Sequence, residues 1–118
     1  MHTSKQSFMR SFFSAFRGIK HELRERNFVV QITIGIIAIA SSLAFGLSRT
    51  DKMIILLLIA FVLACEIMNS ACERMLNVVT KDHHPEVGRI KDMLAGAVLI
   101  YSTVAFVIGL WIFGSVLR

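Results

Sequence analysis

The sequence predicts an all-α membrane protein in which an N-terminal amphipathic surface helix precedes three transmembrane helices. Of its 118 residues, 55% are hydrophobic, and the mean hydropathy of +0.66 exceeds that of ordinary soluble domains. Three apolar segments, at residues 28–47, 53–72 and 93–117, are each about 20–25 residues long, which is enough to cross a bilayer as a helix. The 13 Lys and Arg residues cluster near the ends of these segments. We therefore expect residues 1–118 to form one integral-membrane domain.

Residues 4–25 are predicted to form the amphipathic helix. At about 100° of rotation per residue, four basic residues gather on one face of this helix, and the opposite face is apolar, with Phe8, Phe12, Phe16, Ile19 and Leu23. An aromatic face opposite a cationic face suits a helix that lies in the headgroup plane of an anionic leaflet. Packing of the same helix against the transmembrane bundle is an alternative that the pattern leaves open.

The connections between the predicted spans are short and polar. A loop at residues 48–52 is expected to turn the chain from the first span into the second, and a polar connection at residues 73–91 leads to the third. The first span carries Ala38, Ser42 and Gly46 at four-residue spacing. Small residues at this spacing let helices approach closely in lipid.

The distribution of basic residues predicts the orientation. Ten Lys and Arg residues lie before the first span or between the second and third, whereas three, Arg49, Lys52 and Arg118, lie on the other side. The positive-inside rule then places the N-terminus and residues 73–92 in the cytoplasm and the C-terminus on the opposite side of the cytoplasmic membrane. Because topology accounts for the net charge of +5, we expect no nucleic-acid partner.

A polar stripe interrupts the second apolar segment. With Glu66 taken as zero, Asn69 falls near about −60°, Glu73 near about −20° and Asn77 near about +20° around one helix. A carboxylate inside a membrane-spanning helix costs at least a few kcal/mol and indicates a functional site by default. The stripe descends toward the predicted cytoplasmic side, where ATP is found.

The charges around this stripe suit phosphoryl transfer. Glu73 is placed to hold a hydrated divalent cation, and Glu66 is placed deeper, to meet the polar head of a membrane substrate. Glu25 offers a second carboxylate at the same interface, and Lys91 and Arg89 bring positive charge for phosphates. Mg²⁺ prefers one or two carboxylates together with phosphate oxygens, and phosphoryl transfer needs a metal, a cation and a positioned acceptor.

Two segments carry a resemblance to a known family. Residues 66–73 read EIMNSACE, and residues 84–100 read HPEVGRIKDMLAGAVLI. Together with the entry ERNF at residues 25–28, they resemble the small bacterial integral-membrane lipid kinases, the diacylglycerol kinase and undecaprenol kinase family. The similarity covers nearly the whole chain in order.

The resemblance implies roles for individual residues. Glu66 resembles the family's general base, with Asn69 supporting the polar site, and Glu25 and Glu73 resemble the carboxylates that hold Mg²⁺ against the phosphates of ATP. A further set resembles positions that contact or flank the nucleotide: Arg10, His84, Gly88, Lys91 and Asp92. The family also implies a homotrimer with sites between neighbouring subunits, and ATP- and Mg²⁺-dependent phosphorylation of a membrane lipid alcohol.

Two features leave the resemblance incomplete. The family commonly has Asp where this chain has Asn77, so one negative charge at the end of the stripe is missing. The acceptor also stays open, because the entry at residues 25–28 and the run from Lys91 are more similar to undecaprenol kinases. By contrast, residues 88–93 are more similar to diacylglycerol kinases.

Two other functional classes are alternatives. Carboxylate rings select cations, so an oligomeric cation channel lined by Glu66, Asn69 and Glu73 is one of them. Above Glu66 the same face continues as Val62 and Ile59, which leaves no polar path across the membrane. A non-catalytic membrane scaffold is the other alternative, and Mg²⁺-dependent phosphoryl transfer would exclude it.

Overall fold

The computed structural model describes residues 4–80 and 84–117, and the regular structure within them is entirely α-helical. The helices are α1 (Ser4–Glu22), α2 (Arg26–Ala44), α3 (Arg49–Val79) and α4 (Pro85–Val116). Three of these described helices, α2, α3 and α4, are long and apolar enough to cross a membrane. The all-α fold with three candidate spans is therefore confirmed, whereas the position of α1 on a membrane surface stays a prediction. Lys81 and Arg118, which enter the charge count, lie outside the described residues.

Helix α3 is the centre of the structure. It packs against α2 on one side and α4 on another, and α1 reaches it as well. Most large apolar side chains on the three long helices are exposed. This exposure is expected for surfaces that face lipid or neighbouring membrane helices rather than water.

The turn between α2 and α3 is shorter than predicted, because residues 49–52 form the first turn of α3 rather than a loop. Helix α2 ends in a Schellman motif: Gly46 has a φ of +63°, and the amides of Gly46 and Leu47 donate to the carbonyls of Leu43 and Ser42. Ser48 then caps α3, since its Oγ accepts from the amide of Asp51 at 3.1 Å. Local capping thus places the reversal at residues 45–48.

The polar connection predicted at residues 73–91 is also mostly helical. Helix α3 continues to Val79, and α4 begins at Pro85, with His84 as its N-cap and with the His84 Nδ1 accepting from the Glu86 amide at 3.1 Å. The two helices have 31 and 32 residues, about 46 and 48 Å at 1.5 Å per residue. Because about 30 Å crosses the hydrocarbon core, both extend beyond it.

Helix α1 ends at Glu22, three residues before the predicted end. The amides of Arg24 and Glu25 donate to the carbonyls of His21 and Glu22 in tight turns, and Glu25 adopts an extended conformation before α2 begins. This bend turns the chain from α1 into the first span. It also carries Glu22 and Glu25 toward α3.

Gly35 of α2 lies directly against Ile59 of α3. A Cβ atom added there would lie 2.9 Å from Cγ2 of Ile59, a distance at which the Ile59 side chain or the helix that carries it must shift. We expect Gly35→Ala to lower the free energy of unfolding by about 1–3 kcal/mol through overpacking, measured by thermal unfolding in detergent micelles. The added substitution Ile59→Ala should recover part of this loss. A Gly35→Ala protein as stable as the parent would show that the helices separate without cost.

Candidate active site

The polar stripe forms one continuous face of α3, as predicted, and becomes more exposed toward the end of the helix. Glu66 is 6% exposed and Ser70 is 9% exposed, Asn69 and Glu73 are half-buried, and Asn77 is exposed. The position of Ser70, about 40° from Glu66 around the helix axis, places its hydroxyl on the same face. The stripe therefore runs from a buried carboxylate to an open polar end.

Glu66 is paired with a polar side chain of the first span. A side-chain hydrogen-bonding interaction links its carboxylate to Gln31 of α2. The Gln31 Oε1 is buried and has no partner within the described residues, so the amide nitrogen is the group that serves Glu66. Gln31, the only strongly polar residue of the predicted first span at residues 28–47, therefore belongs to the site.

Three other carboxylates lie near enough to Glu66 to repel its negative charge. They belong to Glu22, Glu25 and Glu73. Glu22 is 6% exposed, and its Oε1 accepts a hydrogen bond of 2.6 Å from the Ser70 hydroxyl. Glu25 accepts from Arg74 Nη2 at 3.4 Å in an exposed ion pair. We call Glu22, Glu25, Glu66 and Glu73 the acidic cluster.

The acidic cluster offers oxygen ligands but not a closed metal cage. Within residues 4–80 and 84–117, no three His, Cys, Asp or Glu side chains lie close enough together to hold a metal ion. Mg²⁺ commonly uses only one or two carboxylates and completes its octahedron with water and phosphate. The buried Oδ1 of Asn69, which has no partner in this part of the chain, adds an oxygen between Glu66 and Glu73. This all-oxygen donor set fits Mg²⁺.

Among the residues of α4 that are predicted to contact or flank the nucleotide, Lys91 contacts the exposed end of the polar stripe. Its Nζ donates to Oδ1 of Asn77 at 3.0 Å, and no carboxylate of the described residues lies within ion-pair distance of it. Gly88 and Asp92 lie within one turn of Lys91 on α4. The Nδ1 of His84 is used as the helix cap, which leaves Nε2–H as its remaining donor.

Helix α1 places Arg10 at a distance from Glu22 of the acidic cluster. Arg10 lies on an exposed part of α1, twelve residues before Glu22, or about 18 Å along the helix. Its predicted role beside the nucleotide stays a proposal.

Four site residues were not identified from the sequence alone: Glu22, Gln31, Ser70 and Arg74. Ser70 could have been found, since it follows Glu66 by four residues on the stripe. Glu22 gave no such signal, because the pattern treats it as the polar end of an amphipathic helix. Its burial depends on the bend at residues 23–25, which hydropathy does not encode.

An apolar cavity of about 470 Å³ lies between α2, α3 and α4. Its lining includes Gln31 together with apolar side chains such as Ile59, Val62 and Phe106. Because Gln31 also interacts with Glu66, the cavity adjoins the buried end of the polar stripe. The face of α3 above Glu66 is therefore apolar, as expected from Val62 and Ile59.

Comparison with known proteins identifies related enzymes. The family model for prokaryotic diacylglycerol kinase matches residues 13–113. The undecaprenol kinase of Bacillus subtilis is 36% identical over 107 residues, which cover 90% of this chain and 87% of the relative. The diacylglycerol kinase of Synechocystis is 27% identical over 101 residues, covering 84% of this chain and 58% of that protein.

The neutral contact between Asn77 and Lys91 can be converted into an ion pair. We expect Asn77→Asp to raise the free energy of unfolding by about 0.2–1 kcal/mol at low salt, the range for exposed pairs. Salt screens exposed charges, so the gain should shrink at high ionic strength. Thermal unfolding at two salt concentrations measures both effects, with Asn77→Ala as the control that removes the acceptor. A gain that is independent of salt would contradict the electrostatic explanation.

Proposed function

This chain belongs to the prokaryotic diacylglycerol kinase family, and we propose that it transfers the terminal phosphoryl group of ATP to the hydroxyl group of a membrane lipid alcohol. The observation that carries this proposal is the buried Glu66 carboxylate in a helix able to cross a membrane. A general base at that depth suits an acceptor that stays in the bilayer. The acidic cluster and Lys91 lie on the side from which a nucleotide would approach.

Each residue has a distinct proposed role. Glu66 accepts the proton of the lipid hydroxyl. At the same time the hydroxyl oxygen of the lipid forms a bond to the γ-phosphorus, and the bond from that phosphorus to ADP breaks. Asn69 supports the polar site with its buried Oδ1, which has no partner within the described residues. Lys91 supports the phosphates, with Arg10, His84, Gly88 and Asp92 beside the nucleotide.

Glu25 and Glu73 are the proposed ligands of Mg²⁺. They would hold a divalent ion whose chemistry would be to neutralise negative charge on the transferring phosphoryl group. The exposed Arg74 ion pair of Glu25 is weak in water, so it does not prevent Glu25 from turning to a metal.

The proposed setting is a homotrimer in the bacterial cytoplasmic membrane, with the N-terminus and residues 73–92 in the cytoplasm. The large exposed apolar surface of α2, α3 and α4 supports association with lipid and with further copies. Small residues on α4, such as Ala105 and Gly109, suit close helix packing. A cation channel is disfavoured, because the cavity beyond Glu66 has an almost wholly apolar lining.

Undecaprenol is the acceptor that we favour over diacylglycerol. The match to the undecaprenol kinase has the higher identity and covers more of the relative. The apolar cavity beside Gln31 supports an acceptor whose hydrocarbon lies among α2, α3 and α4 while its hydroxyl reaches Glu66.

Glu66→Gln should lower the phosphorylation rate at least a hundredfold, the usual loss for a general base, while the protein still assembles. Turnover of purified protein with radiolabelled ATP measures the rate, and size-exclusion chromatography measures assembly. Asp51→Asn is a matched control on the same helix, about 22 Å along its axis, and should keep normal turnover. Near-normal activity of Glu66→Gln would remove Glu66 from the mechanism.

The acceptor can be tested directly by incubating the purified protein with ATP and each lipid in separate mixed micelles. We expect phosphorylated undecaprenol to form with the higher kcat/KM and chelation of divalent ions to stop the reaction. Preferential phosphorylation of diacylglycerol would reverse the assignment of the acceptor. Failure to phosphorylate either lipid would contradict the proposed lipid substrates.

A further inference from the structure

A buried hydrogen bond joins α1 to α3 beside the proposed active site. The Ser70 hydroxyl donates to Oε1 of Glu22 at 2.6 Å, and the two residues are 9% and 6% exposed. Hydrogen bonds to an ionised carboxylate are shorter and stronger than neutral ones. This hydrogen bond therefore stabilises the contact between two parts of the chain that are 48 residues apart. We call it the Glu22–Ser70 link.

The Glu22–Ser70 link lies beside the proposed metal ligands, Glu25 and Glu73. Ser70 is on α3 between Glu66 and Glu73, about one turn from each. Glu22 precedes Glu25 by three residues, within the bend that ends α1. Holding Glu22 against Ser70 thus holds Glu25 near the face of α3 that carries Glu73.

The other described contact across this junction is weaker. Arg74 meets Glu25 at 3.4 Å, with side chains that are 62% and 44% exposed. Exposed ion pairs at such distances contribute little, because water screens them and long side chains lose entropy. The buried bond is the one able to fix the register of the two segments.

A purely structural role does not explain why Glu22 is a carboxylate. Its charge lies in a buried position and repels Glu66, and a buried charge costs free energy unless it is well compensated. An apolar or amide side chain would fill the same position at lower cost.

We propose that Glu22 is a positioning residue that, through its hydrogen bond to Ser70, holds Glu25 opposite Glu73 so that the two carboxylates bind one divalent cation. This inference rests on the proposed function, which supplies the roles of Glu25 and Glu73. It adds a residue and a contact that neither the family match nor the polar stripe assigns to the site.

The test compares Ser70→Ala with Ser70→Thr, which keeps a hydroxyl, and with Ser42→Ala. Ser42 is a matched control, because it is also buried and its hydroxyl bonds within its own helix, to the Ile39 carbonyl at 2.7 Å. Binding of Mn²⁺ is measured by electron paramagnetic resonance on purified protein with a non-hydrolysable ATP analogue. The half-saturating Mg²⁺ concentration and the lipid KM are measured during turnover.

Ser70→Ala should weaken Mn²⁺ binding about tenfold, the factor that corresponds to the loss of one hydrogen bond to a charged group. It should raise the half-saturating Mg²⁺ concentration similarly and leave the lipid KM unchanged. Ser70→Thr and Ser42→Ala should bind Mn²⁺ like the parent protein. Wild-type Mn²⁺ affinity in Ser70→Ala would overturn the inference, as would a change confined to the lipid KM.

Glu22→Ala provides a second route if Ser70→Ala fails to fold. It removes the same bond from the α1 side and should weaken Mn²⁺ binding to a similar extent. In the double variant the two losses should not add, because both substitutions remove one interaction; additive losses would contradict the inference. Absence of Mn²⁺ binding and phosphorylation in the parent protein would instead contradict the proposed function.

Discussion

A carboxylate buried in a helix that can cross the membrane is the constraint on which the rest of the structure depends. Glu66 is 6% exposed, and an ionised side chain at such a position is costly unless polar groups surround it. Gln31 supplies such a group from α2. Because this partner lies on another helix, the packing of α2 on α3, which includes the contact of Gly35 with Ile59, is a condition for keeping Glu66 in place.

The acidic cluster creates a second constraint, because it places several negative charges at one junction. Within the described residues, Arg74 is the only basic side chain that forms an ion pair with it, and that pair is exposed. An excess of negative charge in a partly enclosed site attracts cations. The repulsion that destabilises the acidic cluster alone would therefore favour binding of a divalent ion, and such binding would stabilise the junction of α1, α2 and α3.

Much of this arrangement could be predicted from the sequence, because hydropathy and helical periodicity depend on single segments. The three spans and the stripe from Glu66 to Asn77 follow from those two patterns. The helix ends could not be predicted as well, since Gly46, Ser48 and His84 act through backbone geometry and capping. Glu22 was missed for a different reason: its burial comes from contact with Ser70, which is distant along the chain.

The contact between Asn77 and Lys91 gives a physical meaning to the missing negative charge at the end of the stripe. A neutral amide oxygen orients the ammonium group through a 3.0 Å hydrogen bond but adds no negative charge to compensate it. A carboxylate at the same place would orient the lysine as well, yet it would also compete with phosphate oxygens for the same charge. Asn77 therefore keeps Lys91 directed toward α3 without neutralising its positive charge. In this chain the amide of Asn77 therefore positions the lysine and does not neutralise its charge.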